Sequence, residues 1–334
     1  MERPGEVSFR DIKLTVPRSD AQIARTVLSS ISSGTDMKTY RGLQPAQSLW
    51  YPCVPGYENM GVIVDPGNQG KFNTGDRVMI NECRKFGDVC AAWGGSVHYA
   101  IKDSFTAPSV FDYMVKVPDN VSDRDAVLSY LPCVALKGIK RIPLAPNQTI
   151  VVVGAGMVGI SALQILKILE PTVTTVSVER NAFRRSIASH YADHVFAPEE
   201  AVAKLADLTN GKLADIIIEC SGNPEVVGSL HQYLKEGGWG HDDTPGHIHL
   251  QGDYPGRIVL DGYNFWFNKN CAITMTCALA PDCKEQILEW MSTGAFNTTH
   301  LPVEVWPASK AAEAYKYQDQ KHEEIFKIIL DWNE

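Results

Sequence analysis

Short apolar runs separated by Gly, Pro and Asn turns fill the first part of the chain: ARTVLSSI (24–31), YENMGVIVD (57–65), DRVMINEC (76–83) and SVHYAIK (96–102). Short strands at regular spacing, with turn signals between them, predict a barrel-like β domain. No long helical pattern interrupts them. From residue 132 the pattern changes to strand and helix in alternation: TIVVVGAG, MVGISALQILKIL, VTTVSVE, AFRRSIASHYA, ADIIIECSG and PEVVGSLHQYLKEG. Apolar strands each followed by a helix predict a doubly wound parallel sheet covered on both faces. The tail holds two helical segments, PDCKEQILEWMSTGAF and SKAAEAYKYQDQ, and two strand-like ones, HLPVEVW and FKIILDW. The expected class is α/β, with a β domain over 1–131, a doubly wound domain over 132–276 and a mixed segment over 277–334.

At 334 residues the chain is long enough for two cores. Its net charge of -8, with no sustained run of Lys or Arg, argues against nucleic acid and against an anionic membrane surface. Small-molecule chemistry is the expectation. The opening MERPGEVSFRD has no apolar leader core, and the most apolar stretch carries glycines and a lysine, so neither secretion nor a membrane span is expected. Eight cysteines scattered over this length read as reduced thiols in a cytoplasmic protein. Cys83 and Cys90, with His98 beyond, lack the close Cys pairs of a structural zinc knuckle. His241, His247 and His249 with Asp242 and Asp243 lie in a Gly- and Pro-rich stretch that reads as a polar surface loop rather than a metal site. Cys133 reads as a small core residue.

The strongest chemical signal is TIVVVGAGMVGISAL, where Gly154, Gly156 and Gly159 complete G-x-G-x-x-G between a strand and a helix. Gly154 allows a tight turn, Gly156 lets backbone approach a pyrophosphate, and Gly159 permits close helix packing. The N–H groups at Met157 and Val158 open the helix that would face the phosphates. Glu179 ends the next strand about twenty residues beyond Gly159, where a carboxylate accepts from ribose hydroxyls and repels a 2′-phosphate. NAD is therefore expected. Arg180, Arg184 and Arg185 are the counter-argument, since an arginine there accommodates NADP. Ser221, Gly222 and Gln251, at later strand ends, are expected near the nicotinamide because ligands bind outside the carboxyl ends of parallel strands.

GTD (34–36), PGYENMGVI (55–63), GDRV (75–78), GAGMVG (154–159), ECSGNPE (219–225) and FKIILDW (326–332) occur in an order that resembles the medium-chain dehydrogenase/reductase superfamily over nearly the whole chain. The resemblance implies a GroES-like β-barrel catalytic domain, a Rossmann domain, and a return to the catalytic domain after residue 276. It also implies that Lys327 meets the cofactor's pyrophosphate, and that the protein is a homodimer or homotetramer paired through CAITMTCALA (271–280). Relatives of the sorbitol and alcohol dehydrogenase type hold a catalytic zinc. Here the matching places read Ser33, Tyr57 and Tyr130 or Leu131, which cannot supply a stable zinc site. Asp36 and Glu58 resemble the acids behind that metal. The four-Cys structural lobe is missing too, and the chain is similar to the bacteriochlorophyllide dehydrogenase group.

Without a cation, a hydroxyl or ammonium must stabilise the developing alkoxide. SSGTDMKTYRG (32–42) supplies candidates. Thr35 resembles the relay hydroxyl of relatives, Lys38 falls where some carry a relay His, and Tyr57 stands at the vacated His position. The expectation is that Tyr57 or Thr35 contacts the reacting oxygen, that Lys38 relays the proton or lowers the phenol's pKa, and that Ser33 is a filler or a donor. Polar residues including Tyr40 and Arg41 suit a hydroxylated substrate. The resulting reading is a zinc-independent, NAD-dependent dehydrogenase of a secondary alcohol such as a polyol, sugar or cyclitol. The rivals are an NADPH-dependent enone or quinone reductase and an inactive NAD(H)-binding protein.

Overall fold

The computed structural model describes residues 1–15, 17–44, 49–83, 85–103, 113–238 and 244–333. His241, Asp242 and Asp243 fall outside them. In chain order the strands are β1 (Gln22–Ile31), β2 (Cys53–Val54), β3 (Glu58–Asp65), β4 (Arg77–Met79), β5 (Cys90–Ala91), β6 (Tyr99–Lys102) and β7 (Val115–Lys116). They continue as β8 (Thr149–Val153), β9 (Thr174–Val178), β10 (His194–Phe196), β11 (Ile216–Glu219), β12 (His247–Leu250) and β13 (Ala272–Met275). The last two are β14 (Val303–Pro307) and β15 (Lys327–Asp331). The chain divides into two units, Met1–Tyr130 with Ala280–Glu334, and Leu131–Leu279.

The first unit is built on a seven-stranded sheet in the order β14-β15-β1-β3-β4-β7, with β6 also paired to β1. Two register shifts along the β1–β3 pairing bend the sheet. β1 thereby reaches three neighbours, β3, β15 and β6. Helical segments in this unit are short except for Cys283–Thr293 and Ala311–Gln320. A smaller pairing joins β2 to β5 and sets Cys53 beside Cys90. None of the eight cysteines is in a disulfide.

An ion pair spans β1. Lys327 Nζ, at the start of β15, donates to Glu58 Oε1, at the start of β3, at 2.6 Å, with the two side chains 2% and 1% exposed. Ser30 of β1 is in register with Glu58, and Ile31 with Ile328, so the charges close over the end of the strand between them.

The second unit is a six-stranded, all-parallel sheet in the order β10-β9-β8-β11-β12-β13. β8 and β11 are buried along almost their whole length, which suits their apolar runs IVVV and III. Helix Pro198–Leu208 starts on a proline with Glu199 and Glu200 in its first turn, which suits a helix N-terminus. Helix Ala182–Ala188 is capped by Asn181, whose side chain accepts from Arg184 N at 3.0 Å. The helical reading of PEVVGSLHQYLKEG shortens to Pro224–Val227 and a 3₁₀ turn at Leu230–Gln232. No helix among the described residues is long and apolar enough to cross a membrane.

The surface-loop reading of the histidines is corrected by β12. His247 and His249 lie on that strand and are buried. They remain there because Thr274 Oγ1 meets His247 Nε2 at 2.8 Å and His249 Nδ1 at 2.9 Å, while Thr276 Oγ1 meets His249 Nε2 at 3.3 Å.

Replacing Lys327 with Met leaves Glu58 as an unpaired interior charge, and Lys327→Met is expected to cost about 3–5 kcal/mol of stability near pH 7.5. Burial already raises the Glu58 carboxyl, and losing the ammonium raises it further. The neutral form is the one the fold favours, so the penalty fades as pH falls through that raised value. Urea unfolding near pH 7.5 and near pH 5 checks this; an equal loss at both would count against the ion pair.

Candidate functional site

In the second unit the strand order reverses between β8 and β11, and the glycine turn lies at that point. Gly154 has φ 92°, and a Cβ there would stand 2.8 Å from Ser221 N and Cα. A Cβ at Gly159 would stand 1.9 Å from the Gly154 carbonyl oxygen, so only glycine lets the helix sit this close. At Gly156 a Cβ would meet nothing within 4 Å. Gly156 caps helix Met157–Leu169 without a side-chain hydrogen bond, which leaves the first-turn N–H groups as unsatisfied donors at the positive end of the dipole. The Met157 side chain is buried and Val158 half-buried, so these two offer backbone. An open cradle of backbone donors fits a dinucleotide's pyrophosphate.

Glu179 is fixed at the end of β9. Its Oε2 accepts from Ala155 N at 2.7 Å and its Oε1 from Asn181 N at 2.8 Å. Arg185 is turned onto the Glu179 and Arg180 carbonyl oxygens, at 2.9 and 2.6 Å. Arg180 is exposed and Arg184 half-buried on the next helix. At the end of β11, Ser221 N donates to Glu219 Oε1 at 2.8 Å and Gly222 N reaches Oε2 at 3.4 Å. Gln251 is withdrawn instead: it is buried, and a Cβ at Gly138 would fall 1.7 Å from its amide oxygen. It packs against Gly138 of helix Tyr130–Ile139 rather than opening from the strand end.

In the first unit a buried polar cluster forms where β1 ends and helix Thr35–Tyr40 begins. The Tyr57 hydroxyl lies 2.7 Å from Ser32 Oγ and is also hydrogen-bonded by Thr35. The Tyr57 ring packs against Tyr130 at 4.7 Å between centroids, and edge-on against Trp93 at 5.9 Å. Asp36, 1% exposed, accepts from Ser32 N at 2.9 Å and from Gly56 N at 3.0 Å. Burial, reinforced by Glu58 and opposed by these N–H bonds and Lys327, raises its pKa to about 7. Burial, with Glu58 and Asp36 beside it, pushes the Tyr57 phenol far above its ordinary value.

Several expectations change. Lys327 spends its ammonium on Glu58, buried within the first unit, so the pyrophosphate role is replaced by that of counter-ion. The phenol is raised, not lowered: burial acts first, and the carboxylates of Glu58 and Asp36 add to it, while Lys38 is half-buried on its helix. Ser33 is exposed, and the hydroxyl that joins Tyr57 comes from Ser32, one residue earlier. Arg41 is bound to Asp319 at 2.7 Å, and Tyr40 is buried against Tyr315. Cys83 Sγ meets Ile101 N at 3.4 Å, and His98 stacks on Tyr99.

Thr35, Tyr57 and Asp36 are thus brought together with Tyr130, which the sequence places beside Tyr57, while Ser32 joins them unforeseen and Lys327 comes as the partner of Glu58. Among the described residues no group of three or more His, Cys, Asp or Glu could hold a metal ion. The donor set at Ser33, Tyr57 and Tyr130 does not fit zinc.

Residues 21–119 match the family described as "Alcohol dehydrogenase GroES-like domain" and residues 157–240 that described as "Zinc-binding dehydrogenase". The chain is 26% identical over 341 residues, 98% of its length and 96% of the relative's, to 2-desacetyl-2-hydroxyethyl bacteriochlorophyllide A dehydrogenase of Cereibacter sphaeroides. It is 27% identical over 283 residues to L-threonine 3-dehydrogenase of Pyrococcus furiosus, covering 79% of this chain and 78% of that one. The fold is like that of 2R,3R-butanediol dehydrogenase from Bacillus subtilis, with a TM-score of 0.81 at 19% identity over 100% of this chain and 98% of that one. With a GroES-like domain, a parallel Rossmann sheet and matches in both, the chain belongs to the medium-chain dehydrogenase/reductase superfamily.

Proposed function

We propose that the protein is a cytoplasmic, zinc-independent, NAD(H)-dependent oxidoreductase that interconverts a secondary alcohol of polyol, sugar or cyclitol type and its ketone. The observation that carries this is the Tyr57–Ser32–Thr35 hydroxyl cluster, whose Tyr57 matches a metal-ligand place of the zinc-dependent relatives, in a chain that also holds the dinucleotide turn. The named relatives act on hydroxyl-bearing substrates, as their names state, which supports the reaction class.

The nicotinamide, when bound, accepts a hydride from the carbinol carbon or returns it to the carbonyl carbon. The side chains handle the oxygen and its proton. Tyr57, held protonated by burial and two neighbouring carboxylates, donates a hydrogen bond to the substrate oxygen. Ser32 and Thr35 orient that hydroxyl. Lys38, one helical turn from Thr35, relays the proton, inward to the substrate oxygen in ketone reduction and outward in alcohol oxidation. A phenol that resists ionisation is a better donor to a carbonyl than a base toward an alcohol, which favours ketone reduction. Glu179, pinned at the end of β9, sets negative charge where NADP would bring its 2′-phosphate.

The same reading includes a homodimer or homotetramer. β13 is the edge of its sheet, and Met275 on it is 66% exposed. Ile258, Val259, Leu260, Tyr263, Phe265 and Phe267 are exposed apolar residues of the same unit. A second copy related by a two-fold axis would pair its own β13 edge with this one.

Tyr57→Phe is expected to lower ketone turnover about 100-fold or more while NADH binding is kept; unchanged turnover with cofactor bound would remove Tyr57 from the mechanism. Glu179→Ser should relax the preference of NADH over NADPH by about tenfold, measured as the ratio of dissociation constants. Light scattering at micromolar concentration should return at least twice the chain mass, and a monomer would end the pairing proposal.

A further inference from the structure

Glu219, at the last position of β11, is fully buried, although it stands beside the point where the strand order reverses. Its carboxylate gathers donors from two different strand-end loops. From the loop after β11 come Ser221 N at 2.8 Å, the Ser221 hydroxyl and Gly222 N at 3.4 Å. From the loop after β12 comes the Tyr254 hydroxyl, on Oε2. An ionised carboxylate accepts up to about four such bonds, whereas an amide has one oxygen and adds unwanted donors. The loops are pressed together at the same place: a Cβ at Gly252 would stand 2.8 Å from Gly222 Cα and 3.1 Å from Glu219 Oε2. Ser221 in turn abuts Gly154 of the phosphate turn. Burial raises the carboxyl and these donors pull it back.

We infer that Glu219 is a positioning residue for the nicotinamide half of the dinucleotide: it clamps the Ser221–Gly222 loop to the loop carrying Tyr254. The inference rests on the reading that this unit binds a nicotinamide dinucleotide. Glu219 reaches no ligand itself. The two loops it joins lie at the carboxyl ends of β11 and β12, beyond β8, while the adenosine end is governed by Glu179 on the other side of the reversal. The clamp therefore acts on one half of the ligand only.

That asymmetry is the test. Dissociation constants of NADH and of ADP-ribose, which lacks the nicotinamide ring, are measured by fluorescence and calorimetry on the full chain, with thermal melting as a fold check. Tyr254→Phe and Glu219→Gln should each weaken NADH about tenfold and leave ADP-ribose within about twofold of the unaltered protein. Glu179→Ala, at the adenosine end, should weaken both. Tyr254→Phe removes a single hydroxyl, so it decides the matter if Glu219→Gln fails to fold. Unchanged NADH binding in Tyr254→Phe, or parallel loss of NADH and ADP-ribose, overturns the inference. An unaltered protein that binds neither NADH nor NADPH overturns the dinucleotide reading itself, and the clamp with it.

Discussion

The Glu58–Lys327 pair is the constraint on which the first unit turns. Each group alone would be costly to bury, and their mutual attraction offsets that cost only because the geometry is close. The pair joins the starts of β3 and β15 over the end of β1, so the three strands share one electrostatic fastening. It also fixes the field around Tyr57, the residue preceding Glu58. One ammonium faces two buried carboxylates, Asp36 and Glu58, and Lys327 stabilises the ionised form of both without cancelling both charges. Burial first, and the excess negative charge after it, raise Asp36 and resist ionisation of the phenol. The packing of three strands and the ionisation of Asp36 thus share one interaction.

Most of the architecture was legible because its signals are local. Apolar runs such as TIVVV and III demand burial on both faces, and a glycine turn between such a strand and an amphipathic helix has few other uses. β12 was obscured because its burial is decided elsewhere. HIHL carries two imidazoles in a stretch rich in Gly and Pro, and Thr274 and Thr276, on and just beyond the neighbouring strand, make those rings tolerable inside. Compensation by a partner about 25 residues away leaves no periodic trace.

The site divides in the same way. The phosphate cradle could be read position by position, since each glycine answers a steric demand of its own turn. Ser32 was displaced by one residue in the reading because the chain leaves a strand and enters a helix there, and neither period decides which of two adjacent serines faces inward. Lys327 has a partner 269 positions away, and a lone lysine in an apolar strand does not say which carboxylate it meets. Glu219 has the opposite history: its backbone partners are two and three residues on, yet its role depends on Tyr254 from the next strand end.

The two units use different materials, and this bears on how they tolerate change. The dinucleotide turn presents backbone donors and a helix end, so its fitness depends on a few glycines and hardly on the side chains between them. The cluster in the first unit presents hydroxyls whose protonation is set by buried neighbours, so substitution at Ser32, Asp36, Tyr57, Glu58 or Lys327 alters charge as well as shape. A backbone-built cradle tolerates changes in the side chains between its glycines. A side-chain cluster has no such freedom. Burial, with the acids Glu58 and Asp36 beside it, disfavours ionisation of the Tyr57 phenol, and the lysine that pairs with Glu58 is part of the fold.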